Sequence, residues 1–202
     1  HFQSSDRLLV TFLDSDEGRR RLLEVSPIRP ATVEGFCKKL RCASCGMASI
    51  SLVMRAQTGD QVTYAEDFIY DRLSDIKPLA DLDQRGMTAD DVAACLLRLG
   101  AASSVRRPGS ADELRDLALT RLAQESSSII ANFHLKSLGF PSEWGHLSPV
   151  AAYHRDSDSL LIMDNDPKPN DPFWVTMQDL YESMRPADPE SGLPRGLILA
   201  EF

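Results

Sequence analysis

The sequence predicts an α+β fold in which a helical N-terminal half packs on an antiparallel sheet formed by the C-terminal half. Three observations carry that expectation. Segments with helical spacing and helix-start residues come first, and β-rich runs follow one another after about position 126. Two of those runs, "LSPVAAYHR" and "SLLIMDN", are separated only by the polar turn "DSD". A doubly wound sheet would alternate the two element types instead.

Each element has its own warrant. Leu8 to Leu13 is a short apolar run suited to a strand, and Ser15 stands where it would cap a helix through "EGRRRLLEV" to about Val25. The two prolines of "SPIRPA" (26–31) predict a loop. Between Cys45 and Ala56 the residues Met47, Ile50, Val53 and Met54 recur at helical spacing. Thr88 caps "ADDVAACLLRLG", which Gly100 ends. Ser110, with Glu113 three residues later, forms a capping box that opens "ADELRDLALTRLAQ". Residues 127–135, 147–155 and 159–165 read as strands, Thr176 opens a short helix to about Met184, and "GLILAEF" closes the chain as a strand.

A chain of 202 residues with no internal repeat or low-complexity linker suits one domain over 1–202. Its net charge of −8 argues against a nucleic-acid partner, because phosphate neutralisation needs clustered Lys and Arg. The basic knots at Arg19-Arg20-Arg21, Lys38-Lys39 and Arg106-Arg107 suit solvated faces. No apolar run approaches the roughly 18 residues of a membrane span. The chain opens on His1, so "HFQSS" looks like a processing scar or a cut from a longer protein, and no compartment is assigned. Cys37, Cys42, Cys45 and Cys95 are too few for a disulfide scaffold of this length.

The chemistry centres on Cys45. A nucleophilic thiol needs a lowered pKa, which a helix N-terminus and a nearby imidazolium supply. Cys45 sits at a predicted helix start, followed by Gly46, which permits close substrate approach. The base should come from the β-half, oriented by a third group. His1 is terminal, and His134 and His154 fall at positions consistent with sheet edges. His146, in "WGHLSP", begins a strand after a glycine, the rim position a catalytic imidazole needs. Counting back from the turn at 156–158 places Asp164 near the start of the His146 strand.

Blander readings fit the same residues. A cysteine ahead of an apolar helix is commonly core, and a strand-end aspartate is commonly a solvated turn residue. Cys42-x-x-Cys45 with Cys37 has the makings of a zinc site, but no second CxxC or His pair at ligand spacing accompanies it. A thioredoxin-type redox pair needs a βαβ setting that this order of elements lacks. Spacing alone leaves these open.

Longer stretches narrow the field. "CGMASISLVM", "GHLSPVAAYH", "LLIMDN" and "PFWVTMQDLYESM" followed by "RG" resemble, in order and spacing, the catalytic domain of phytochelatin synthases, and "LLVTFLDSDEGRRRLL" resembles that family's first helix. The resemblance implies a papain-like fold with Cys45 as nucleophile, His146 as general base and acid, and Asp164 as its orienter. It implies Asp188 and Arg195 for the α-amino and α-carboxylate ends of a γ-glutamyl group, with Asn132 and Gly145 lining the same donor pocket. Glutathione would be cleaved before its glycine, leaving γ-glutamylcysteine as a thioester on Cys45 for a second glutathione or water.

This chain departs from the family in three places. Lys39 replaces the family's oxyanion-donating Gln and is the oxyanion candidate here. "NDPKPNDP" replaces the usual acceptor-side segment, and "LGFPSEWGHLSP" is bulkier by Phe140 and Trp144. The donor side is kept and the acceptor side rebuilt, so hydrolysis ranks with transfer. Two other readings stand beside this one: an acyltransferase or amidase of the same fold acting on another acyl group, with a carrier protein as partner, and a non-catalytic homologue binding metal or thiols through Cys37, Cys42 and Cys45. The resemblance implies no cofactor or metal held by the chain, cadmium or zinc thiolates as substrate activators, a glutathione-like thiol peptide as substrate and a homodimer as the assembly to test.

Overall fold

The computed structural model describes residues 7–166 and 171–202, so "HFQSS" and the middle of "NDPKPNDP" lie outside the described residues. The fold is α+β. Among the described residues eight α-helices surround one seven-stranded, wholly antiparallel sheet of order β1-β6-β5-β4-β3-β7-β2. The interior strands are β3 (Ser127–His134), β4 (Gly145–His154), β5 (Ser159–Ile162), β6 (Phe173–Thr176) and β7 (Gly196–Glu201). The two edges come from earlier in the chain, β1 (Val10–Phe12) against β6 and β2 (Ala102–Arg106) against β7. The division into a helical half and a sheet half is therefore not strict.

Strand alternation assigns the faces. Ile129, Ala131 and Phe133 on β3, with Leu197 and Leu199 on β7, face the cluster built by α7 (Ala111–Leu122) and α8 (Met177–Met184). Ile130, Ile198 and Ala200 face the opposite cluster, built by α3 (Cys45–Thr58), α4 (Glu66–Leu73), α5 (Leu79–Arg85) and α6 (Ala89–Arg98). A third cluster joins α1 (Asp16–Leu23) and α2 (Pro30–Glu34) to Ala151, Leu161 and Trp174.

Local chemistry explains most boundaries. Ser15 caps α1 by accepting from the Gly18 N–H at 3.0 Å, and the helix stops at Leu23, two residues short of the expected end. "SPIRPA" is not loop throughout: Pro30 opens α2, because a first helical position needs no N–H and suits proline's fixed φ. Thr88 and Asp91 form a reciprocal capping box. Ser110 accepts from the Glu113 N–H, but the Glu113 carboxylate bonds the Gly109 N–H at 2.7 Å, so the expected box is one-sided.

Helix α3 is a core helix from end to end of its first ten residues, Cys45 to Met54, all buried. Its second residue, Gly46, is a packing position rather than an opening for substrate. A Cβ there would lie 2.7 Å from Met87 Sδ, 3.1 Å from Met87 Cβ and 3.2 Å from Leu147 Cδ1. Overfilling such a contact costs about 1–3 kcal/mol. Gly46→Ala should lower stability by that amount in urea unfolding, and an unchanged midpoint would mean that Met87 yields freely.

Candidate active site

The candidate site lies where α3 meets the ends of β4 and β5. Antiparallel pairing of β4 with β5, with a register shift between Val150 and Ala152, carries the chain back so that Met163 N–H bonds Pro149 O at 2.8 Å. The next residue, Asp164, then reaches His146: Oδ1 lies 2.8 Å from His146 Nε2. Both side chains are buried, at 3% and 0% exposure. The ring stands edge-on to Phe133, at 5.7 Å between centroids.

Cys45 occupies the first helical position of α3, close enough to the same imidazole for the two to shift each other's ionisation. Burial of the thiol raises its pKa, yet the His146 hydrogen bond and charge, the Lys39 ammonium and the Leu147 N–H together hold it below the ordinary thiol value. Burial likewise opposes a charged His146, but Asp164, through its charge and hydrogen bond, and the Cys45 sulfur push the imidazole up to about 10. A lowered thiol beside a raised imidazole favours the thiolate–imidazolium pair, the reactive form for attack on a carbonyl. The Cys45 N–H belongs to the unpaired first turn of α3 and is a ready donor to a developing oxyanion.

The other expected residues fall into place around this centre. The strand order β4-β3-β7 sets Asn132 between Leu147 on one side and Gly196 on the other, and His134 opposite Gly145. Arg195, immediately before β7, is 3% exposed and bonds Pro186 O at 2.6 Å and Ala187 O at 3.2 Å through Nη1. Its Nε is buried without a partner among the described residues. Its guanidinium lies against Gly145, where a Cβ would sit 2.9 Å from Nε and 3.0 Å from Nη2. Any side chain there would press on the guanidinium. Burial lowers the Arg195 pKa and Asp188 opposes the shift. Asp188 is half-buried, and its Oδ1 accepts from the Glu190 N–H at 2.9 Å.

Lys39 is close enough to act electrostatically on Cys45, but its ammonium is engaged: Nζ lies 3.2 Å from Asp166 Oδ2 with the side chain 6% exposed. Phe140 turns inward, its ring tilted against Phe173 with centroids 5.5 Å apart, whereas Trp144 stands exposed beside Gly145. His134 and His154 serve structure: they bond Ser137 and Ser157 at 2.9 and 2.7 Å, and each ends a strand inside the sheet rather than at an edge of it. The zinc grouping is not assembled. Among the described residues no three His, Cys, Asp or Glu side chains are placed to hold a metal, Cys42 is exposed, and Cys37 Sγ accepts from Arg55 Nη1 at 3.3 Å.

Sequence reasoning missed Glu66. Its buried carboxylate accepts from the Leu40 N–H at 3.0 Å and from the Ser44 and Tyr70 hydroxyls at 2.5 Å each. It thereby fixes the loop between Lys39 and Cys45, and burial together with Glu66 raises the Tyr70 pKa. An acidic residue in the first turn of a helix was the available signal.

A sequence model of the family described as phytochelatin synthase matches residues 11–197, nearly the whole chain. The chain belongs to the phytochelatin synthase family. Phytochelatin synthase relatives include glutathione gamma-glutamylcysteinyltransferase 3 of Lotus japonicus, 28% identical over 92% of this chain and 41% of that protein. Glutathione gamma-glutamylcysteinyltransferase 1 of Triticum aestivum is 29% identical over 92% and 39%, and the Schizosaccharomyces pombe enzyme of that name is 27% identical over 79% and 40%. The chain thus spans about two-fifths of the length of the curated relatives it matches. No helix among the described residues is long and apolar enough to cross a membrane.

The coupled Cys45 and His146 pKa values predict the pH response of the site. The thiolate exists above a lowered Cys45 pKa and the imidazolium below about 10. Iodoacetamide should therefore alkylate Cys45 rapidly well below the pH of about 8.5 at which free thiols ionise. Peptide mass mapping across pH reads this directly. An acid limb at the ordinary thiol position would remove the ion pair.

Proposed function

We propose that this chain is a single papain-like catalytic domain that cleaves glutathione before its glycine and passes the γ-glutamylcysteine acyl group to water or to the amine of a second glutathione. The observation that supports it best is the buried His146–Asp164 pair at 2.8 Å with Cys45 acting on the same imidazole, while the Arg195 guanidinium lies against Gly145, the residue before His146. Family membership supplies the substrate class, since the named relatives are glutathione gamma-glutamylcysteinyltransferases.

In this reading the Cys45 thiolate attacks the carbonyl of the cysteinyl-glycine amide. The resulting oxyanion takes a hydrogen bond from the Cys45 N–H, and His146 delivers its proton to the departing glycine nitrogen. A thioester remains on sulfur. His146, now neutral, removes a proton from the incoming water or amine, and the thiolate leaves as the new acyl bond forms. Asp164 keeps one ring nitrogen occupied and stabilises the imidazolium. Arg195 offers its free N–H groups to the α-carboxylate of the γ-glutamyl end, and the charge of Asp188 suits the α-ammonium. Cadmium or zinc thiolates of glutathione enter, if at all, as substrate, and association into a homodimer is a further proposal for solution measurement.

Two sets of variants test this. Cys45→Ser should abolish release of glycine from glutathione while the fold persists, and Cys42→Ser should leave release intact under reducing conditions. Arg195→Ala should slow turnover at least about tenfold, the cost of losing a charge-assisted contact worth about 1.5–3 kcal/mol. Normal glutathione turnover by Arg195→Ala would argue for another acyl group in this pocket, such as a carrier-bound one.

Lys39 is best read as an electrostatic support of the thiolate, because its ammonium is already committed to Asp166. Lys39→Ala should lower single-turnover glycine release by about tenfold or less, short of the 10²–10³ lost when a true oxyanion donor is removed. Lys39→Gln, which also removes the charge but restores the amide donor the family carries, should lower it by less. A thousandfold loss in both would mean that Lys39 has an essential task of its own, and the oxyanion role would have to go.

A further inference from the structure

Asn165 follows Asp164 and stands where three parts of the site converge. It is 1% exposed. Its Nδ2 lies 3.1 Å from Cys45 O, 3.0 Å from Ser49 Oγ and 3.4 Å from Leu147 O. Its backbone carbonyl accepts from the Lys39 N–H at 2.8 Å. One residue thus touches the nucleophile's own peptide, the next turn of α3, the residue after His146 and the oxyanion candidate.

We propose that Asn165 is a positioning residue: its side-chain amide fastens the first turn of α3 to the strand that carries His146 and so holds Cys45 beside the imidazole. The inference rests on the proposed catalytic roles of Cys45 and His146. All three atoms within reach of Nδ2 are acceptors, so the amide nitrogen and not its oxygen must face them. None of the three depends on Asn165 for satisfaction. Cys45 O is the first carbonyl of α3 and takes an intrahelical bond, and Leu147 O also accepts from Ser49 Oγ at 2.9 Å. The Asn165 Oδ1, meanwhile, is buried without a partner among the described residues. An amide whose oxygen is unsatisfied, and whose partners are satisfied without it, adds little to folding. What it does add is a direct tie between two elements whose relative position sets a sulfur-to-nitrogen contact. Displacement of about 1 Å between reacting groups costs up to about 10²-fold in rate.

Leucine has nearly the outline of asparagine and none of its hydrogen bonds, so Asn165→Leu separates the two roles. The variant should keep its urea midpoint. Its single-turnover glycine release should fall about tenfold with the KM for glutathione within about twofold, the signature of a contact that matters to the transition state. The acid limb of iodoacetamide alkylation at Cys45 should move to higher pH, by about half a unit or more, as the imidazolium loosens its hold on the sulfur. Ser49→Ala, which removes one of the amide's partners, should shift the same limb in the same direction by less. An alkylation profile that Asn165→Leu leaves in place overturns the inference. So does a midpoint that falls in Asn165→Leu while Ser49→Ala leaves the limb unmoved. An ordinary thiol profile in the unaltered protein would instead remove the catalytic pair itself. A profile that shifts as expected in a protein that never releases glycine would keep the role of Asn165 and remove glutathione as substrate.

Discussion

The structure depends on keeping an imidazolium charged inside a protein interior. Transfer of a charge from water into a low-dielectric site costs several kcal/mol unless opposite charge and hydrogen bonds meet it. His146 is met on one side by the Asp164 carboxylate at 2.8 Å and on the other by the Cys45 sulfur. Neither partner is optional. Asp164 alone would leave an inert buried ion pair, and Cys45 alone would leave a thiol that burial pushes toward its neutral form. The reactive state belongs to the three groups together.

That requirement explains why the site is built on the most rigid elements available. His146 and Asp164 are delivered by two neighbouring interior strands of the sheet, whose pairing leaves little freedom at their ends. Cys45 is delivered by a helix whose first ten residues are buried. The loop ahead of Cys45 has no regular structure, and the Glu66 carboxylate replaces the missing ladder by accepting two hydrogen bonds from it, from the Leu40 N–H and the Ser44 hydroxyl. Arg41 adds a bidentate tie from that loop to Asp83 on α5, exposed and correspondingly weaker.

The legible parts of the fold were those written in contiguous sequence. Thr88 and Ser15 cap the helices expected of them because a cap acts over three residues. The meeting of His146 with Asp164 was also readable, since a short turn between two strands fixes which residues face each other. Helices α4 and α5 were not, because Ala65 and Pro78 precede them and neither offers a side-chain cap. Strand β2, "ASSVR", carries two serines at the sheet edge and exists by pairing with β7, 91 to 99 residues later. The partners of Asn165 lie at separations of 18 to 120 residues, which no local pattern encodes. Gly46 was misread for a related reason: a glycine after a nucleophile suggests open space, but Met87 and Leu147 fill it.

In the proposed reading, recognition and proton transfer meet at Gly145 and His146 on one strand. Gly145 lacks a side chain, so the Arg195 guanidinium can lie directly against the peptide that leads into His146. An α-carboxylate engaged by the unpaired Arg195 Nε would therefore be fixed one residue away from the imidazole that serves the leaving group. A substrate held by its far end in this way arrives with its scissile amide already placed, and binding energy at Arg195 is converted into alignment at Cys45. Trp144, exposed next to Gly145, borders this same approach without taking part in the buried network. In the proposed reading the chemistry is fixed from the core side, and the choice of acceptor is left to the solvent-facing rim.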